Sequence, residues 1–268
     1  MEEHSLKIKP ICLLLPLMLL VLLTGCFFKK TIAAVKQVPQ NDRAMEQFTR
    51  DEKGRAAYPG AVLGVDVSDH QREIDWARVR ADGVEFAILR IGFRGYTVGN
   101  IKLDESFARN YVAARQAGLK VGAYFYSQAV SESEVREEAA WVLEMLDGIP
   151  LELPVFFDWE EVAGGRTGGK ATSAVGDYAR LFCQLVTEGG YSAGVYFNQR
   201  FGYSIMHLEH LTDYSFWIAE YQSYQSFAFQ TAFWQFTPEG HVDGIDTVVD
   251  LDLMYATEEP HEQTEENP

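Results

Sequence analysis

Cysteine is scarce in this 268-residue chain, and two of its three copies, Cys12 and Cys26, fall inside an N-terminal apolar run. Cys183 is then the one thiol of the remainder, which excludes a disulfide framework. It sits in a helical apolar pattern, Tyr178 to Val186, and is expected to be buried and inert. Positive charge is also short. The 23 Lys and Arg face 39 Asp and Glu, a formal net charge of -16. That balance argues against nucleic acid or an anionic membrane surface as the main partner, because both repel it at long range. Neutral, cationic or mixed-charge polymers fit better. What the chain does have is apolar material. At 47% hydrophobic and 13% aromatic, it can bury a sizeable core in one large domain or two small ones.

Residues 1–25 read as an export signal, with Lys7 and Lys9 ahead of an apolar stretch from Pro10 to Leu23. Leu23-Thr24-Gly25-Cys26 resembles the lipobox of bacterial lipoproteins, which implies cleavage before Cys26 and a lipid on its thiol. A single transmembrane anchor is the alternative, since the apolar run through Phe28 is about long enough to span and Lys29 and Lys30 follow it. Either way the bulk of the protein is expected outside the cytoplasmic membrane, attached by lipid or by an apolar anchor. Residues 26–60 are polar, mixed in charge and without apolar period, and are expected to form a tether. Residues 258–268 form an acidic, featureless tail, expected to be disordered.

Between these ends, over residues 61–257, apolar strands alternate with helical patterns. Strands are expected at Ala61 to Val67, Glu85 to Gly92, Lys120 to Tyr126, Leu153 to Glu160, Ala193 to Phe197, Phe216 to Tyr221, Ala232 to Phe236 and Val248 to Leu253. Helices are expected near Trp76, over Asp104 to Ala117, after the capping pattern Ser131-x-x-Glu134, and over Ser173 to Glu188. Continuous rather than alternating apolar strands, each followed by a helix, imply a mostly parallel sheet covered by helices. Eight strands suffice to close a barrel, giving an α/β fold in a single domain.

In such a barrel the active site lies at the C-terminal ends of the strands. The residues there are mostly acids and aromatics: Asp66, Tyr124 and Tyr126, Asp158 and Glu160, Asn198, Trp234 and Gln235, and Asp250. Asp158 and Glu160 stand out. A strand turns both to one face and Trp159 and Glu161 to the other. Their separation along the strand is about 6 to 7 Å, within the range of roughly 5 to 9.5 Å used by paired carboxyls in glycoside hydrolysis. Two like charges this close are expected to split their pKa values, with Glu160 raised by its neighbour and Asp158 ionised. Taken alone, the stretch also fits an apolar strand ending in a solvated acidic loop. Asp66 and Asp250 are expected to be solvated acids that set the charge of the cleft floor. A metal centre from Asp66, His70, Asp158 and Asp250 is the other option for these groups. No second histidine lies beside them, so His70 is read as a loop residue.

Seven stretches in order carry a resemblance: Gly64-Val65-Asp66-Val67-Ser68 with Gln71; Asp104, Phe107 and Asn110 ahead of Ala117-Gly118; Val121 to Ser127; Pro154 to Glu160; Trp217-Ile218-Ala219 with Tyr221; Trp234-Gln235-Phe236; and Val242 to Ile245 leading to Val249-Asp250-Leu251-Asp252. Together they resemble glycoside hydrolase family 25 over about residues 61–254. The resemblance implies an irregular TIM-like (β/α) barrel of about eight strands. It also implies a retaining muramidase-type lysozyme cleaving the β-1,4 bond between N-acetylmuramic acid and N-acetylglucosamine in peptidoglycan glycan strands. Carried over by position, Glu160 is the general acid and base and Asp158 holds or stabilises the N-acetyl group. Asp66 and Asp250 complete the site, and no metal or cofactor is expected. Where many relatives have Tyr-His-Phe, this chain has Tyr124-Phe125-Tyr126. Two readings compete with lysozyme action. A chitinase-like barrel also uses Asp-x-Glu, but normally carries aspartates where this chain has Phe156 and Pro154. A non-catalytic wall-binding lectin on the same barrel has no need of all four acids.

Overall fold

The computed structural model describes residues 37–256; the export signal with Cys26 and the acidic tail from Glu258 lie outside the described residues. Among the described residues no helix is long and apolar enough to cross a membrane. In chain order the strands are β1 (Thr49–Arg50), β2 (Ala56–Ala57), β3 (Val62–Val67), β4 (Phe86–Arg94), β5 (Ile101–Leu103), β6 (Lys120–Ser127), β7 (Val155–Trp159), β8 (Ala193–Asn198), β9 (Ser215–Ala219), β10 (Phe233–Gly240) and β11 (Val249–Met254). Five α-helices lie between them: α1 (Trp76–Ala81), α2 (Phe107–Gln116), α3 (Glu132–Leu146), α4 (Ala174–Glu188) and α5 (Gln199–Ser204).

Eight strands close on themselves in the order β3, β4, β6, β7, β8, β9, β10, β11 and back to β3. From β3 round to β10 every pairing is parallel. The last strand differs: β11 runs antiparallel to both β10 and β3. Its start therefore reaches the same rim as the C-terminal ends of the others. This is how Asp250, the second residue of β11, comes to sit directly across from Asp66, the fifth residue of β3. β5 hangs on the outside of β4 as a short antiparallel return.

Alternation along each strand decides what fills the barrel. Phe86, Ile88, Phe156, Trp217 and Phe233 form the apolar inner floor. Phe156 packs edge-on against Trp217 at 5.1 Å and Phe233 at 5.2 Å. Glycines make room for these rings. A Cβ on Gly64 would meet Phe86 at 2.2 Å, and one on Gly194 would meet Phe156 at 2.4 Å. The opposite faces of the same strands pack under helices. The stripe Val135, Ala139, Val142 and Leu146 of α3 is buried as its spacing predicts. Cys183 of α4 is fully buried, its thiol donates to the Gly194 carbonyl at 3.3 Å, and burial pushes it well above the usual thiol range.

The tether expectation fails from Gln40 onward, because residues 40–60 fold onto the barrel. Gln40 bridges to Phe229, and the Asn41 amide donates to the Phe227 carbonyl at 3.0 Å. The Arg43 guanidinium lies 3.5 Å from the Tyr255 ring centre, and Phe48 stacks edge-on to Trp234 at 5.4 Å. These residues show no period because their order comes from single side chains docking at separate places, not from one long amphipathic face.

Candidate active site

A cleft of about 550 Å³ opens at the rim where the parallel strands end. Its acids are Asp66 of β3, Asp158 of β7 with Glu160 one residue past the strand's end, Asp250 of β11, and Asp69 from the turn that follows β3. Tyr124, Tyr126, Tyr196 and Tyr221 surround them, and Gln235 reaches in from β10. A second recess, of about 440 Å³, lies at the other end of the barrel beside Tyr255 and holds Asp42 as its one acid. The chemistry is therefore concentrated at the first.

Glu160 sits beyond the sheet ladder and is held by other means. Its carbonyl accepts from the Gln128 amide at 2.8 Å and from the Thr167 hydroxyl at 3.0 Å. The Gly-rich loop that carries Thr167 thus serves to anchor the residue after the strand. Trp159, on the opposite face, donates its indole N–H to the Ala129 carbonyl at 2.8 Å, fixing the register that turns Asp158 and Glu160 inward. Glu161 also points away, accepting from the Gly169 N–H at 2.9 Å and pairing with Arg200 at 3.3 Å.

Burial dominates the electrostatics. It pushes the Asp158 carboxyl well above the usual range, with the Glu160 charge adding to it. Burial likewise raises Glu160, opposed by a hydrogen bond from Tyr126. This corrects the expected cause: desolvation, not the neighbouring charge, leads on Glu160, and Asp158, the deeper of the pair, is raised by burial as well. Burial carries Asp250 to about 6 and also pushes Asp66 well above the usual carboxylate range, where the Asp250 and Asp252 charges add to it. Arg90 lines the cleft, but its guanidinium already serves Asp104 at 2.8 Å and Asp69 at 2.5 Å. One acceptor is left over: Asp158 Oδ1 is buried with no hydrogen-bond partner.

Of the residues expected at the site, Asp66, Tyr124, Tyr126, Asp158, Glu160, Gln235 and Asp250 all line the cleft. Two do not. Trp234 faces outward from β10, fully buried, with its indole N–H donated to the Glu220 carbonyl at 2.8 Å. Adjacent strand residues face opposite ways, so Trp234 and Gln235 could not share the site. Asn198 lies in a side recess that adjoins the cleft through Glu160 and Tyr196, and its Oδ1 caps α5 by accepting from Phe201 N–H at 3.0 Å. Asp66 is also not solvated: it is buried and accepts from Gln235 Nε2 at 2.8 Å. Sequence reasoning missed Tyr196, whose ring packs 4.7 Å from Trp217 and whose hydroxyl donates to Gln235 at 2.9 Å. Alternation could have found it, since Tyr196 lies two residues before Asn198 on the same strand.

A closed barrel with an acid cluster at its C-terminal rim, led by an Asp-x-Glu on one strand, is the architecture of a glycoside hydrolase. Residues 65–245 match the family "Glycosyl hydrolases family 25", and the chain belongs to that family. It is 30% identical over 207 residues to the protein YegX of Escherichia coli strain K12, covering 74% of this chain and 71% of that one. It is 27% identical over 199 residues to the autolytic lysozyme of Clostridium acetobutylicum, covering 71% of this chain and 55% of the relative. Among solved structures it resembles the modular autolysin LytC of Streptococcus pneumoniae with a TM-score of 0.65 at 20% identity, covering 82% of this chain and 52% of that one. The chain thus spans about half the length of LytC.

Proposed function

We propose that this chain is a muramidase-type lysozyme that hydrolyses the β-1,4 bond between N-acetylmuramic acid and N-acetylglucosamine in peptidoglycan. Glu160 gives its proton to the glycosidic oxygen as the C1–O bond breaks, and later takes a proton from the water that attacks C1. The oxygen of the N-acetyl group, or Asp158 itself, meets C1 in between, so configuration is retained. The observation that carries this reading is the unpartnered Asp158 Oδ1 beside Glu160. An acetamido N–H is the donor such a carboxylate lacks. Donating to Asp158 favours its ionised form and leaves the pair's proton on Glu160, where the leaving oxygen needs it. Tyr124, Tyr126 and Gln235 would contact the sugars, whose apolar faces and hydroxyls suit a cleft of tyrosines. The autolytic lysozyme among the relatives, and a LytC structure solved with a synthetic peptidoglycan ligand, support the substrate class.

The work would be done in the cell envelope. Leu23-Thr24-Gly25-Cys26 supports a lipid anchor at Cys26, with a single apolar span as the alternative. Labelled palmitate is expected to enter the wild-type protein and not Cys26→Ala; a wild type that takes up no label would favour the apolar span. For the activity, purified peptidoglycan is digested and the new reducing ends are reduced with borohydride and identified. Reduced N-acetylmuramic acid is expected. Reduced N-acetylglucosamine would assign the other glycosidic bond, and no new reducing ends would leave a wall-binding lectin.

A further inference from the structure

Asp252 lies one inward step below Asp250 on β11, across from Gly64, and is fully buried inside the barrel. Its Oδ1 accepts from the Trp217 indole N–H at 2.8 Å, while its Oδ2 has no donor from any other side chain or backbone group. Its diagonal neighbour across the β3–β11 ladder is another buried acid: Asp66 sits opposite Asp250 and Gly64 opposite Asp252, so the two carboxyls share the same inward face two residues apart. Two ionised carboxylates cannot hydrogen-bond to each other, so a proton on one is what lets the orphaned Oδ2 find a partner in the other.

The surroundings leave no other means of relief. Asp66 Oδ2 accepts from Gln235 Nε2 at 2.8 Å. The orientation of that amide is fixed, because its oxygen takes hydroxyls from Tyr196 at 2.9 Å and Tyr221 at 2.8 Å. The charged groups facing the pair are mostly of the same sign: Asp250 on its own strand, with Asp158 and Glu160 across the cleft. Tyr124, Tyr196 and Tyr221 present neutral hydroxyls, and Arg90 is engaged by Asp69 and Asp104. Two buried charges side by side without a cation are strongly disfavoured.

We propose that Asp66 and Asp252 hold a single proton between them and act as one monoanionic unit, with Asp252 the positioning residue that fixes the Asp66 carboxyl in the cleft floor. The proposal rests on the lysozyme reading for its consequence, though not for its chemistry. Burial of both groups and their adjacency on the inner face of the β3–β11 pair favour the shared proton. The unit gives the floor one fixed negative charge where two aspartates would otherwise bring two. Asp252→Asn keeps this arrangement, since the amide donates to an ionised Asp66 and its oxygen still accepts from Trp217. Asp252→Leu removes both links.

The test combines infrared spectroscopy with kinetics on the full chain. At neutral pH the wild-type spectrum minus that of Asp252→Asn, in which the Glu138 and Glu160 carboxyls cancel, is expected to show a buried protonated-carboxyl band. The same difference should appear when both chains also carry Asp158→Asn or Glu160→Gln. On peptidoglycan, Asp252→Asn is expected to stay within a few-fold of wild-type kcat, while Asp252→Leu falls by roughly tenfold to a hundredfold with KM little changed, as a displaced site residue would. Absence of the band, or an Asp252→Asn as impaired as Asp252→Leu, overturns the proposal. Should Asp252→Leu not fold, the band and Asp252→Asn decide alone. Should the wild type release no reducing ends, the lysozyme reading fails and the band still answers for the shared proton.

Discussion

Two sets of buried acids in this barrel are treated in opposite ways. Glu138 of α3 is fully buried and fully served. Its Oε1 accepts from Arg94 Nε and its Oε2 from the Ser127 hydroxyl, each at 2.6 Å. Arg94 in turn donates to the Gly99 carbonyl at 2.6 Å and to the Glu134 carbonyl at 3.1 Å. Burial lifts Glu138 to about 7, and the Ser127 and Arg94 bonds hold it from going further. This network ties α3 to β4 and β6. At the cleft, Asp66, Asp158, Glu160 and Asp250 stand together, and the arginine that lines it among the described residues, Arg90, is already paired with Asp69 and Asp104. A fold keeps such a cluster against its own stability only where the charges serve something else. Compensated burial marks architecture, and uncompensated burial marks the working site.

The largest effect should come from neutralising the cleft without changing its shape. Asp158→Asn is expected to lower kcat by about 10² to 10⁴, the range of acid–base contributions. The same variant should be more stable than the wild type at pH 8. The sign follows from linkage: a carboxyl whose folded pKa is raised binds more protons folded than unfolded, so stability falls as pH climbs from the unfolded value through the folded one. Asp158→Asn removes that loss, raising Tm by about 2 to 4 °C for each kcal/mol relieved, and the advantage should vanish near pH 4, close to the unfolded carboxyl value. Thermal melts at the two pH values check it. A variant less stable at pH 8 would end the contrast drawn here.

Glu138→Leu should do the reverse. It strands Arg94 and is expected to cost about 3 to 5 kcal/mol in denaturant unfolding, with activity per folded molecule preserved. Next in size is Asp250→Asn, expected to lower kcat about tenfold, on the scale of a charge–charge interaction of about 1.4 kcal/mol in the transition state. Because burial carries Asp250 to about 6, the wild-type pH–rate profile should contain an inflection near there that this variant lacks. The smallest effect belongs to Trp234→Phe. It loses the bond to the Glu220 carbonyl, costs about 1 kcal/mol, and should leave KM and kcat unchanged. A raised KM would return Trp234 to the site.

Much of this was legible in the sequence, and the gaps have physical causes. Eight apolar runs marked the eight barrel strands because each is buried on both faces and reads continuously. The direction of β11 was not legible, since an apolar run carries no sign of parallel or antiparallel pairing. The hairpin β1–β2 and the short α5 were too brief to show a period. At the site, the strand-end rule located Asp66, Asp158 and Glu160, whereas Asp250 stands at the start of an antiparallel strand and was supported by the family resemblance. Reading along the strands without their inward parity cost Tyr196 and admitted Trp234 beside Gln235. Asp252 has the right parity, yet nothing in its sequence neighbourhood tells a buried acid from a solvated one. Its meaning depends on Asp66, Trp217 and the space at Gly64, which come together through closure of the sheet.

The central claim is that Glu160 carries the proton that cleaves the glycan, and its neighbour supplies the control. Glu160 faces the cleft, while Glu161 faces away and pairs with Arg200. Reducing ends released from purified peptidoglycan should be measured for Glu160→Gln and Glu161→Gln across pH 4 to 9. Glu160→Gln is expected to lose about 10² to 10⁴ in kcat with substrate binding retained, and to lack the alkaline limb in whatever activity remains. Glu161→Gln should follow the wild type. An active Glu160→Gln with the wild-type profile would contradict the account.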